Sequence, residues 1–142
     1  VTNYKKITKV ETKIVEARNE GLSIGQLNEV DFINDILNAL ISISAITGHS
    51  LPEEQFIAKR LNEELRTQLL DYGYSDLTMA EIVLAFRLNC LCNLKYPSGS
   101  EVISTEIFGR FINVDYITKV LNTYRTLRMM LDNQLKNIID GY

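Results

Sequence analysis

The chain has 142 residues, 46% of them hydrophobic and 23% charged, with a formal net charge of −3. That length suits one domain able to bury a core without metals or disulfides, and the acidic balance excludes a protein that coats nucleic acid along its whole surface. With only two prolines and seven glycines to interrupt helices, the expected fold is all-α: a compact bundle of five to six helices with a long C-terminal helix, forming a single helical domain over residues 1–142.

The first helix is expected over residues 2–20, where Ile7, Val10, Ile14 and Ala17 recur at spacings of three and four. Lys5, Lys6, Lys9 and Lys13 lie on its polar side, and Gly21 is a natural stop. A link follows over residues 22–29, where Gly25 and Asn28 weaken any helix. The second helix, residues 30–47, is the most apolar stretch, with Phe32, Ile33, Ile36, Leu37, Leu40, Ile41, Ile43 and Ile46. A helix apolar nearly all round is expected at the centre, wrapped by the others, and Gly48 ends it.

Ser50 and Glu53 form a capping-box pattern for a third helix, with Pro52 in its first turn. Its inner stripe is expected to be Phe56, Ile57, Leu61, Leu65 and Leu69, and Gly73 closes it. Thr78 and Glu81 form a second capping box, flanked by Leu77 and Ile82 as a hydrophobic staple. That fourth helix points Ile82, Val83, Ala85 and Phe86 inward and runs to about Cys92. Residues 97–100, Pro-Ser-Gly-Ser, read as a turn, and residues 102–111 as either a short helix or a small extended piece. Asn113 caps the last helix, with Ile112 and Ile117 as its staple. Ile117, Val120, Leu121, Tyr124, Leu127, Leu131, Leu135 and Ile138 carry one stripe to about Ile139. Such a helix is roughly 39 Å long, so its far end is expected to project and dock on something.

Catalytic chemistry is hard to place. His49 is the single histidine and lies between two helices, where a solvated turn residue is the ordinary reading. There is no glycine-rich phosphate loop and no Glu-x-x-His pair. Cys90 and Cys92 are two residues apart and face different sides of a helix, which suits two reduced thiols better than a disulfide or a zinc site. The expectation is a non-enzymatic protein with no cofactor and no bound metal. No uninterrupted run of about 18 apolar residues occurs and the N-terminus lacks an apolar signal core, so a cytoplasmic protein without a membrane contact is expected.

Charge is unevenly spread. Residues 51–81 hold seven acids against three bases, and residues 110–138 hold five bases against two acids. Such a split can steer association with a charged partner. The candidate contact residues for nucleic acid or a protein partner are Arg110, Lys119, Tyr124, Arg125, Arg128 and Lys136. The competing reading pairs these cations with the acidic stretch inside the fold.

Leu77-Thr78-Met79-Ala80-Glu81-Ile82-Val83-Leu84-Ala85-Phe86 fits an L-T-x-x-E-I-x-x-A-F segment. Phe111 to Tyr124, with Lys119-Val120-Leu121 before the tyrosine, fits F-x-x-x-x-[YF]-x-x-K-V-L-x-x-Y. In this order the two stretches resemble small phage and prophage proteins of Bacteroides-type hosts, some linked to DNA replication. The spacer here, residues 93–110, is longer and less charged than is usual there. The resemblance implies no catalytic residues. It implies a phage replication accessory factor, helicase-loader-like, that grips a phage or host protein and touches DNA weakly. Two alternatives stand beside it: a virion structural or assembly protein that forms homo-oligomers, and an inhibitor of a host defence complex.

Overall fold

The computed structural model describes residues 9–90 and 111–140. The fold is all-α. Five helices run in the order α1 (Lys9–Arg18), α2 (Glu29–Thr47), α3 (Gln55–Asp71), α4 (Met79–Cys90) and α5 (Val114–Asp140), with one 3₁₀ turn at Ile24–Gln26 between the first two. Among the described residues β-pairing is limited to two isolated bridges, Ser23 with Thr78 and Ser50 with Phe111. The N-terminal part of the first expected helix, the Pro-Ser-Gly-Ser turn and nearly all of the ambiguous stretch before Phe111 lie outside the described residues.

Local chemistry sets most of the helix ends. The Asn28 side chain accepts from the Asp31 amide at 2.8 Å and starts α2. Gly48 ends it at φ 76°, a left-handed conformation that costs other residues about 1 kcal/mol or more. At α4 the expected capping box forms: Thr78 Oγ1 accepts from the Glu81 amide at 3.1 Å, and Glu81 Oε1 accepts from the Thr78 amide at 3.2 Å. Asn113 Oδ1 accepts from the Tyr116 amide at 2.9 Å and caps α5. Gly25, expected only to weaken a helix, sits where a Cβ would lie 3.0 Å from the Cβ of Ser75. Its missing side chain lets the 3₁₀ turn dock on the α3–α4 connection, where the Gly25 amide donates to the Ser75 carbonyl at 2.9 Å.

α3 departs from its expected start. Its cap is Glu54, whose carboxylate accepts from the amides of Phe56 and Ile57 at 3.0 and 3.1 Å. Ser50 is engaged elsewhere: its carbonyl accepts from the Ile112 amide at 3.1 Å. That bridge holds Ser50 extended, so the helix begins later than a Ser50–Glu53 box would place it.

The centre of the bundle is α4, not α2. α4 packs against α1, α2 and α5, and buries Ile82, Ala85, Phe86 and Leu88 together with the polar Glu81 and Asn89. α2 contributes Phe32, Ile36, Ala39, Leu40 and Ile43 to the core, but leaves Val30, Ile33, Leu37 and Ile41 exposed. By length and composition α2 is also the one described helix apolar enough to cross a membrane. Of that span, 28% is buried inside this bundle. α3 buries Leu65 and Leu69, whereas Phe56 and Ile57 of its expected inner stripe face solvent. α5 keeps its stripe inward through Leu131, and the Arg18–Asp132 ion pair ties it to α1.

Candidate interaction surface

An open groove of about 880 Å³ lies between α3 and the start of α5. Three segments converge on it. The connection that carries Ser50 and Pro52 forms one end, the first turns of α3 form one wall, and residues 111–114 form the other. The Ser50–Ile112 hydrogen bond fixes the first and last of these against each other. Leu61 and the buried Ile112 lie at the base. Phe56, at 83% exposure, stands on the α3 wall with the exposed Ile57, and Phe111 stands opposite at 50%.

The rim is acidic. Glu53, Glu54 and Glu64 line it against a single cation, Arg60. Arg60 is held at 3.4 Å by Glu63 and at 3.3 Å by Glu64. The local balance at the rim is therefore negative, with three carboxylates and one guanidinium.

The cations of α5 present a different picture. Arg128 is 15% exposed and lies 3.2 Å from Asp76 and 3.5 Å from Glu81. Arg125 lies 3.5 Å from Asp76, donates to the Gly73 carbonyl, and covers the Tyr74 ring with its guanidinium 5.6 Å from the centroid. Lys119 pairs with Asp115 one turn earlier at 3.1 Å. Tyr124 is fully buried, so its expected role as a contact residue is corrected: it belongs to the core stripe. Its hydroxyl donates to Glu81 Oε2 at 2.7 Å. Burial pushes that hydroxyl well above its ordinary pKa, reinforced by the Glu81 hydrogen bond and charge against the pull of Arg128 and Arg18. Lys136 is exposed, and Arg110 lies outside the described residues. Arg125 and Arg128 thus close on the acidic α3–α4 connection and form no open phosphate-binding face.

His49 is not the solvated turn residue expected. It is half-buried, its ring meets Tyr116 edge-on with centroids 5.4 Å apart, and its Nε2 is buried with no hydrogen-bond partner among the described residues. The Cys90 thiol lies near the same tyrosine and donates to the Ile46 carbonyl at 3.7 Å. Burial, with the charge of Cys90 second, pushes the Tyr116 hydroxyl up to about 12.

No family model, curated protein or solved structure matches this chain.

The surface features that stand out are therefore those of the fold itself. Phe56 and Ile57 fit the period of Leu61, Leu65 and Leu69, which is why the sequence pattern points them to the core. A signal for their exposure was present: they occupy the first turn after Glu54, ahead of the point where α3 reaches its neighbours. A wheel drawn through the buried Leu65 and Leu69 sets Phe56 on the opposite side.

Proposed function

We propose that this chain works by binding another protein, and that the groove between α3 and the start of α5 holds a basic, amphipathic helical segment of that partner. The observation that carries this reading is Phe56, a large aromatic side chain left almost wholly in water beside Ile57 and Phe111. Exposing such a side chain forgoes about 1.5–3 kcal/mol of burial, and aromatic anchors of this kind dominate the energy of protein interfaces. From Glu53 to Glu64 the α3 wall runs about 16 Å, enough for the i, i+4 and i+7 positions of a docked helix. The acidic rim selects a cationic partner and speeds its arrival.

Within this reading the specific role we propose is a phage replication accessory factor of the helicase-loader kind. Its support is the pair of sequence stretches in α4 and α5, together with a groove suited to gripping a protein. The DNA contact is left out of the proposal, since Arg125 and Arg128 are spent on Asp76 and Glu81. An assembly role is the second reading, and the exposed apolar flank of α2 favours it.

The test is fluorescence anisotropy of a labelled Leu/Lys amphipathic helix titrated with the full chain. Saturable binding is expected, weakened at least tenfold, about 1.4 kcal/mol, by Phe56→Asp, and weakened by added salt. Phe56 is exposed, so circular dichroism is expected to show an unchanged fold. Absence of saturable binding at about 200 µM, near −5 kcal/mol, or equal binding by Phe56→Asp, overturns the proposal.

A further inference from the structure

The groove between α3 and the start of α5 differs from one end to the other. Glu53 and Glu54 stand at one end, and Arg60 and Glu64 line it further along α3. Glu53 is exposed and has no cation against it among the described residues. Glu54 gives both oxygens to the amides of Phe56 and Ile57 and keeps its charge. At the far end Glu63 and Glu64 close on Arg60 at 3.4 and 3.3 Å. That cluster answers part of its own charge, whereas the Glu53 end has no base at all. The exposed Phe56 and Ile57 lie between the two.

The Glu53 end is also where two helices begin. α3 starts behind Glu54. α5 starts behind Asn113, next to Ile112, whose amide donates to the Ser50 carbonyl at 3.1 Å. Each helix start carries about half a positive charge. A docked helix has ends of opposite sign, so its C-terminal end, with open carbonyls, is favoured there. Lying that way it runs against α3, and the two dipoles oppose each other along the groove. Lysine and arginine in the last turn of a helix are favoured by that helix's own dipole. In this direction the same side chains meet Glu53. The reverse direction sets like ends together and asks for bases in a first turn, where they destabilise their own helix.

We infer that the partner helix lies antiparallel to α3, with its C-terminal turn at Glu53, its bases gathered in that turn, and an uncharged residue opposite Arg60. This rests on the groove being the partner's binding site, and adds a direction and a charge order to it. Glu53 and Arg60 are about 10 Å apart along α3, or about two turns. A fitting partner therefore carries an apolar residue about one turn before its bases, against Phe56 and Ile57, and another about two turns before them, against Leu61 and the stem of Arg60. A base at that second place is repelled by Arg60, and an acid there meets Glu63 and Glu64.

The test uses two labelled Leu/Lys helices of one composition, with the lysines in the last turn or in the first. Both are held helical by a hydrocarbon staple on the outer face and titrated with the full chain at low salt, read by fluorescence anisotropy. The last-turn peptide is expected to bind about fivefold more tightly. Glu53→Gln is expected to bring it down to the level of the first-turn peptide. Glu53→Lys is expected to prefer a third helix with glutamates in its last turn. Glu54 remains the cap of α3 in these variants, so circular dichroism is expected to show an unchanged fold. Equal binding of the two lysine helices, both weakened by Phe56→Asp, leaves the groove as the site and overturns the inferred direction. Tighter binding of the first-turn peptide, or a preference that survives Glu53→Gln, also overturns it. Absence of binding by either helix removes the groove reading, and this inference with it.

Discussion

α2 and α5 are the two long helices of the bundle, and they dispose of their surplus surface in opposite ways. α5 buries one stripe from Ile117 to Leu131 and turns its arginines back onto Asp76 and Glu81, so little charge is left open on its inner flank. α2 buries one stripe from Phe32 to Ile43 and leaves a second apolar stripe uncovered. Charge attracts a counter-charge within the same chain wherever the fold brings one near. Excess apolar surface has no such internal remedy once the core is full, and stays open unless another surface covers it.

The sharpest way to break this contrast is at Glu81, where α5 closes on α4. Its fully buried carboxylate accepts from the Thr78 amide and the Tyr124 hydroxyl and faces Arg128. Glu81→Ala strands all three, and urea unfolding is expected to show a loss of about 3–5 kcal/mol. A loss below about 1 kcal/mol means that Arg128 is not held by this carboxylate. Next in size comes a paired test on α2. Leu40→Ala, at 2% exposure, is expected to cost about 2–5 kcal/mol. Leu37→Ala, three residues earlier and 46% exposed, is expected to cost less than about 0.5 kcal/mol in dilute protein. Equal losses at the two sites show that the second stripe is covered within one chain.

Alkaline unfolding probes the α5 side again. The Tyr116 hydroxyl is raised from 10.0 to about 12, and Tyr74 and Tyr124 are also raised, in each case chiefly by burial. A raised folded value means the native chain keeps protons that the unfolded chain releases. The stability Tyr116 confers in this way is present in full below pH 10 and is lost as pH climbs from 10 through about 12. Tyr116 contributes a slope of up to about 1.4 kcal/mol per pH unit in that window. Tyr116→Phe is expected to remove that share, read from urea midpoints measured at successive pH values. An unchanged slope places the Tyr116 hydroxyl in water.

How much of this was legible in the sequence depends on the distance over which each choice is made. The Thr78–Glu81 box, the Asn113 cap and the stop at Gly48 are decided within four residues, and the sequence pattern located them. The burial of Glu81 is decided by Tyr124, 43 positions away, and no local pattern carries that. Ser50 loses its expected cap to a bridge with the chain at Phe111, again a distant partner. The periodicity of α2 announced apolar residues on most sides but not how many neighbours would arrive to cover them. α4, shorter and less conspicuous, took the centre because it meets α1, α2 and α5. The acidic stretch and the basic helix were both visible, yet whether Arg125 and Arg128 meet Asp76 or a partner depends on how the α3–α4 connection folds back.

The smallest expected effect concerns the outer cation of α5. Lys119 pairs with Asp115, and both side chains are more than half exposed. Pairs of this kind, acid one turn before base, contribute about 0.3–0.5 kcal/mol. Asp115 also stands in the first turn of α5, where the helix dipole favours an acid without help from a lysine. Lys119→Ala is therefore expected to shift the unfolding free energy by no more than about 0.5 kcal/mol, and to lose that shift in high salt. A cost near that of Glu81→Ala means the outer face of α5 is as tightly closed as its inner one. The contrast with α2 then rests on every cation of α5 rather than on Arg125 and Arg128.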